Sequence, residues 1–147
     1  MKKVFYLLVA LVVIIGVSGC EKVEKGNYKE GTYKGEAIDT YNNGNNLATA
    51  TIEVDKDGKI SSVYLDTEYD GSTKKKLGSD YNMKKFNPGA AGEWYEQVEK
   101  LEAAIIEHQG IDFLNLDTDG YTEAVSGCTI KVDALIKAVS NALEQAK

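Results

Sequence analysis

Within Leu47 to Asp55, apolar and polar residues alternate from Ala48 onward. Ala48, Ala50, Ile52 and Val54 fall on one side of an extended chain. Thr49, Thr51, Glu53 and Asp55 fall on the other, the pattern of a strand with one face buried. The Asp57-Gly58 pair inside Lys56-Asp57-Gly58-Lys59 marks a tight hairpin, and Ile60 to Thr67 supplies the returning strand. Upstream, Thr32 to Tyr41 suits another strand, with order beginning near Gly31, and Asn42-Asn43-Gly44-Asn45-Asn46 reads as a turn. The result is a three-stranded antiparallel meander with one polar face and one face that must be covered.

Beyond residue 92 the period changes from two to that of a helix. Trp94, Val98, Leu101, Ile105 and His108 form one stripe, so Glu93 to His108 should be an amphipathic helix that Gly110 stops. Ile111 to Leu116 alternates enough for a short further strand, and Asp117-Thr118-Asp119-Gly120 is an acidic turn. Val132, Leu135, Ile136, Val139 and Leu143 then recur at helical spacing, predicting a second helix that begins near Thr129. Two amphipathic helices over one face of a small antiparallel meander make an α+β domain covering residues 31–147.

Between sheet and helices, Asp70 to Gly92 is long for a plain connection. It carries Lys74-Lys75-Lys76, Lys84-Lys85, several glycines and the only proline, Pro88. Lysine runs usually form solvated surface. The sharper alternative is a loop folded over a flat ligand, with Tyr81, Met83 and Phe86 touching it.

The N-terminus has a different character. Lys2 and Lys3 precede an apolar core, Val4 to Ile15, that is short for a membrane span, so residues 1–19 read as a secretory signal peptide. Glu21 to Lys29 is charged and without apolar rhythm, and residues 20–30 form a tether. Setting Lys2 and Lys3 aside leaves 15 lysines against 23 acids, a net charge of −8, with no arginine in the chain. Such a surface excludes nucleic acid as a partner. Val17-Ser18-Gly19-Cys20 resembles the lipobox of bacterial lipoproteins. That resemblance implies a diacylated, palmitate-type anchor on Cys20, which would become the first mature residue and hold the domain on the extracytoplasmic face of the cell membrane. Cys128 would then be the remaining thiol, so no internal disulfide could form. Among small neighbours it reads as buried and inert.

Several chemistries find no support. Asn115-x-Asp117-x-Asp119-Gly120 and Glu53-x-Asp55-x-Asp57-Gly58 imitate calcium loops, but each lacks the acidic residue at the twelfth position and reads better as a turn. A zinc site would need more than one histidine and one free thiol. His108, the only histidine, reads as a packing residue at a helix end, and no serine has a nucleophile motif around it. The dinucleotide fingerprint is absent.

The stretch with most chemical promise is Glu123-Ala124-Val125-Ser126-Gly127-Cys128-Thr129. Small and hydroxyl-bearing residues just before a helix can be ordinary caps, or can offer free N–H groups to a phosphate. The stretch resembles the attachment motif of FMN-binding domains, Asp-x-x-Ser/Thr-Gly-Ala-Thr. Ser126, Gly127 and Thr129 are in register, Glu123 replaces Asp, and Cys128 replaces Ala. Lys75 to Lys85, which reads Lys-Lys-Leu-Gly-x-x-Tyr-x-Met-Lys-Lys, and Gly92-Glu93-Trp94-Tyr95-Glu96-Gln97 resemble features of FMN-binding lipoproteins of Gram-positive bacteria.

The resemblance implies FMN joined through a phosphoester to Thr129 by a dedicated flavin transferase. Ser126, Gly127, Cys128 and Glu123 would lie around the attachment point, and Tyr81, Met83 and Trp94 would cover the ring. It implies an electron carrier rather than a self-sufficient enzyme, between a membrane electron donor and an extracellular acceptor. The departures at Glu123 and Cys128 motivate a second reading, a non-redox surface lipoprotein that keeps the fold as a binding or adhesive module without flavin.

Overall fold

In a computed structural model of the chain, described for residues 24–147, the alternating stretch is an inner strand of a four-stranded antiparallel sheet. Strand β1 spans Gly31–Asp39, β2 Asn46–Val54, β3 Ile60–Tyr69 and β4 Ser72–Thr73, in the spatial order β1-β2-β3-β4. The fold is α+β, as the periodicities predict, with β4 a two-residue addition to the expected meander. The expected signal peptide (residues 1–19) and the expected lipidation site Cys20 lie outside the described residues.

The β2 alternation does what its pattern demands. Ala48, Ala50, Ile52 and Val54 are buried, and across the β2–β3 turn Ile60, Val63 and Leu65 join them. Asp55 shapes that turn by accepting the Asp57 and Lys59 N–H groups, each at 2.9 Å. Asp117 does the same for Asp119 and Tyr121, also at 2.9 Å. Both calcium-loop imitations are therefore side-chain-stabilised turns.

Four helices follow: α1 Lys74–Leu77, α2 Met83–Phe86, α3 Trp94–His108 and α4 Asp133–Gln145, with a 3-10 turn at Gly78–Tyr81. Helix α4 packs on β1 and β2, and α3 packs along β3. Among the described residues, no helix is long and apolar enough to cross a membrane. Close approach of α4 depends on Gly35, where a Cβ would lie 2.0 Å from the Ala138 carbonyl oxygen and 2.6 Å from the Ala142 nitrogen.

The helices also satisfy the sheet's open edges, which would otherwise present unpaired backbone groups. Asn141 and Gln145 of α4 donate to the Glu36 and Lys34 carbonyls of β1. On the β3 side, Gln109 both donates to the Ile60 carbonyl and accepts its N–H, at 2.9 and 2.8 Å. Glu102 accepts the Leu65 N–H and pairs with Lys75.

Four expectations change. Ile111 to Leu116 is not a strand, because α3 occupies the β3 edge it would need. The segment instead turns, with Leu114 N–H bonded to the Ile111 carbonyl at 3.0 Å, and contributes one bridge, Leu116 to Thr122. Phe113 stacks on the exposed His108 at 4.0 Å, so that histidine packs outside the apolar stripe rather than within it.

The last helix starts at Asp133, four residues later than expected. Val132 N–H is held by the Gly120 carbonyl at 2.8 Å, and the β-branched Thr129, Ile130 and Val132 remain extended or irregular before it. Finally, the chain joins the domain before Gly31. Gly26 N–H reaches the Asp57 carbonyl at 2.7 Å, Tyr28 N–H the Gly58 carbonyl at 3.2 Å, and Lys29 N–H the Ala146 carbonyl at 2.7 Å. Gly26 permits this, since a Cβ there would sit 1.9 Å from the Gly58 oxygen. The segment expected to be a tether therefore meets the fold at the β2–β3 turn.

Candidate functional site

At the opposite end of the sheet, where β1 passes into β2, a cleft of about 660 Å³ opens. That volume lies inside the roughly 300–1,000 Å³ of small-molecule and cofactor sites. Asp39 comes from the end of β1, Tyr41 from the β1–β2 connection, and Lys74, Tyr81, Met83 and Phe86 from the segment after β4. Trp94 comes from the first turn of α3, and Thr129 and Lys131 from the chain leading into α4.

The segment over the cleft is fastened at several points. Asp66 of β3 accepts the Lys75 N–H at 3.0 Å, and Glu93 accepts the Met83 N–H at 2.9 Å. Tyr81 stands edge-on to Tyr69, centroids 4.9 Å apart, and to Trp94, 6.5 Å apart. Burial, with smaller contributions from Tyr69, Tyr41 and Asp39, pushes the Tyr81 phenol up to about 12. It stays a neutral aromatic wall at physiological pH. Phe86 is 78% exposed at the cleft's edge.

Thr129 is held by a glutamine that the sequence reading did not single out as a site residue. Gln97 is fully buried and its Oε1 accepts both the Thr129 N–H, at 2.7 Å, and the Thr129 hydroxyl, at 3.0 Å. Its Nε2 donates to the Gly92 carbonyl at 2.8 Å. The amide cannot be reversed, since that would set its NH₂ against the Thr129 N–H. Thr129 Oγ1 also receives the Ala91 N–H, at 3.4 Å. The residue stays exposed while its hydroxyl orientation is fixed from behind.

A buried Gln one turn after Trp94 was visible only as the last residue of the Gly92–Gln97 pattern. Nothing in the sequence tied it to Thr129, 32 positions away. The tie also removes the Thr129 amide from any phosphate site at a helix start. At α4 itself, Asp133 takes the Ala134 N–H at 2.9 Å. A cation replaces those amides: Lys131 lines the cleft two residues past Thr129, paired with Asp133 at 3.2 Å.

The structure brings Tyr81, Met83, Trp94 and Thr129 together around one cleft, and leaves Glu123, Ser126, Gly127 and Cys128 outside its walls. Glu123 and Ser126 are exposed. Gly127 has φ 76°, and a Cβ there would meet the Lys100 ammonium at 2.5 Å. Cys128 is buried, and burial pushes its thiol pKa up against the weaker pull of the Ile130 N–H and the Lys100 ammonium. With little thiolate to react, Cys128 in a Cys20→Ser variant is expected to ignore a thiol-specific disulfide reagent in the native state. It should react stoichiometrically once urea unfolds the chain, as absorbance of the released chromophore would show; fast native reaction would contradict this placement.

The lysine run differs most from expectation. Lys76 is exposed, but Lys75 is paired with Glu102 and Lys74 is 6% exposed. Lys74 reaches the Asp39 carboxylate at 3.5 Å and lies 5.4 and 5.2 Å from the ring centroids of Tyr81 and Trp94. An acidic protein has thus placed two lysines and one aspartate in its aromatic cleft. That donor set suits a flat, anionic ligand.

Size, aromatic walls and cations define a cofactor-binding α+β domain. The chain matches the FMN-binding domain family over residues 45–144 and belongs to it. FMN is its cofactor, and the residues in the cleft fit that ligand in size, shape and charge. Searches of curated proteins and of solved structures find no match.

Proposed function

We propose that this chain is a lipid-anchored, extracytoplasmic flavoprotein that carries FMN as a phosphoester on Thr129 and relays electrons between a membrane donor and an external acceptor. The observation that carries the reading is the Thr129 hydroxyl, exposed at an aromatic cleft and oriented by Gln97. A flavin transferase would replace the Oγ1–H bond by an Oγ1–P bond, breaking the anhydride P–O bond of a phosphoanhydride-activated flavin; the other half leaves as a monophosphate and the proton passes to the transferase or to solvent. Gln97 is no base and only aims the hydroxyl. Lys131 offers charge to the phosphate, and Tyr81, Met83 and Trp94 cover the ring. When bound, the flavin supplies the electron-accepting and electron-donating chemistry, and the protein supplies placement and electrostatics.

The anchor geometry suits this role. With lipid on Cys20, five residues separate it from Gly26, which makes the first backbone bond among the described residues, at the β2–β3 turn. The cleft lies at the other end of β2, nine residues away, or about 30 Å at the rise of an extended strand. The cofactor would face away from the bilayer surface.

The test is the full chain co-expressed with a flavin transferase. A yellow protein whose visible band survives denaturation and filtration, with an FMN-sized mass on the peptide holding Thr129, is the expected result. A colourless protein of unmodified mass would overturn the reading in favour of a binding module without flavin.

A further inference from the structure

The buried lysine of the cleft has more capacity than its neighbours use. An ammonium carries three donors. At Lys74 the hydrogen-bond partner is Asp39 at 3.5 Å, the outer limit for such a bond. The remaining surroundings include the faces of Tyr81 and Trp94. Desolvation lowers the Lys74 pKa, opposed by the charge of Asp39 and, more weakly, of Asp66. Asp66 is already engaged by the Thr67 and Lys75 N–H groups. Asp39 therefore helps keep Lys74 charged without saturating it, and the next strong acceptor to enter the cleft would meet a poorly solvated cation.

We propose that Lys74 is the counter-cation for the negative charge that the flavin ring gains on reduction, and so helps to set the cofactor's midpoint potential. The proposal rests on the reading that FMN occupies this cleft with its phosphate at Thr129. Thr129 hangs from Gln97, whereas Lys74 lies against Trp94, one turn earlier on α3. The phosphate has Lys131 beside its attachment point, and Lys74 sits among the aromatic side chains against which a flat ring would pack. Oxidised flavin is neutral in its ring. Two electrons from an external reductant and one proton from solvent, taken up at N5, leave one negative charge spread over N1 and the adjoining carbonyl. A buried ammonium stabilises that charge more than water would. The groups facing Lys74 are Asp39 from β1, Asp66 from β3 and the phenol of Tyr81, which remains neutral across the range tested.

The experiment is a dye-equilibrated dithionite titration of the flavin-loaded full chain from pH 6 to pH 9. The wild type is compared with Lys74→Met, which keeps the stem between the rings, and with Lys74→Arg, which keeps the charge. Wild-type and Lys74→Arg proteins should take up one proton per electron pair over most of this range. Lys74→Met should have a lower midpoint, by at least tenfold in the reduction equilibrium, about 30 mV for a two-electron couple. It should also take up closer to two protons in the acidic half. Lys74→Gln carries the same comparison should the methionine variant fold poorly, with near-ultraviolet circular dichroism as the check. Equal midpoints and equal proton uptake in loaded wild type and in whichever neutral variant is compared would overturn the role of Lys74 alone. A wild type without flavin would overturn the underlying reading as well.

Discussion

Thr129→Ala protein made alongside the flavin transferase is expected to carry no flavin after denaturation, while Thr129→Ser keeps it. The contrast isolates one atom. Both variants lose the threonine methyl, but only alanine removes Oγ1, the proposed phosphoester oxygen. Gln97 can still receive the residue 129 N–H in both, as it does at 2.7 Å in the parent, so the local chain path should hold. The cost in stability should be small, about 1 kcal/mol or less for one hydroxyl on an exposed residue. Intact mass together with a urea melt separates the two effects. A flavin mass on the peptide spanning residue 129 in the alanine variant would exclude this hydroxyl as the acceptor.

The second large effect concerns the scaffold. Gly35→Val is expected to destabilise the domain by about 3 kcal/mol or more, because overpacking a tight contact with no flexible neighbour typically costs 1–3 kcal/mol or more. Here the obstacle is α4 backbone, the Ala138 carbonyl oxygen 2.0 Å from the new Cβ, and a helix cannot yield by changing a rotamer. β1 or α4 must move. The midpoint of thermal unfolding should fall by roughly 10 °C. Gly35→Ala should show a smaller shift in the same direction. A valine variant that melts with the parent would mean that α4 does not rest on β1 as described.

What the sequence reveals depends on the range of the forces involved. The β2 alternation, the Asp57-Gly58 turn and the α3 stripe are local patterns, and each appears in the structure where the residues place it. Tyr81, Met83, Trp94 and Thr129 could be named together from a resemblance, yet the contacts that unite them are long-range. Gln97 looked like one polar residue on a helix, and its value comes from a partner 32 positions away. Lys74 looked solvated because its neighbours in sequence are lysines. It is buried because Asp39, 35 positions earlier, and two aromatic rings give it somewhere to go. The start of α4 was misplaced for a related reason. Helical periodicity locates the buried face, but the Gly120–Val132 bond decides where the helix may begin.

The chain has a single tryptophan, and it is Trp94, 4% exposed and lining the cleft beside Tyr81 and Lys74. Any bound chromophore absorbing in the near ultraviolet would drain the excited state of that indole. The domain thus carries its own optical gauge of loading: ultraviolet emission should dim as the cleft fills and brighten as it empties, with no label attached.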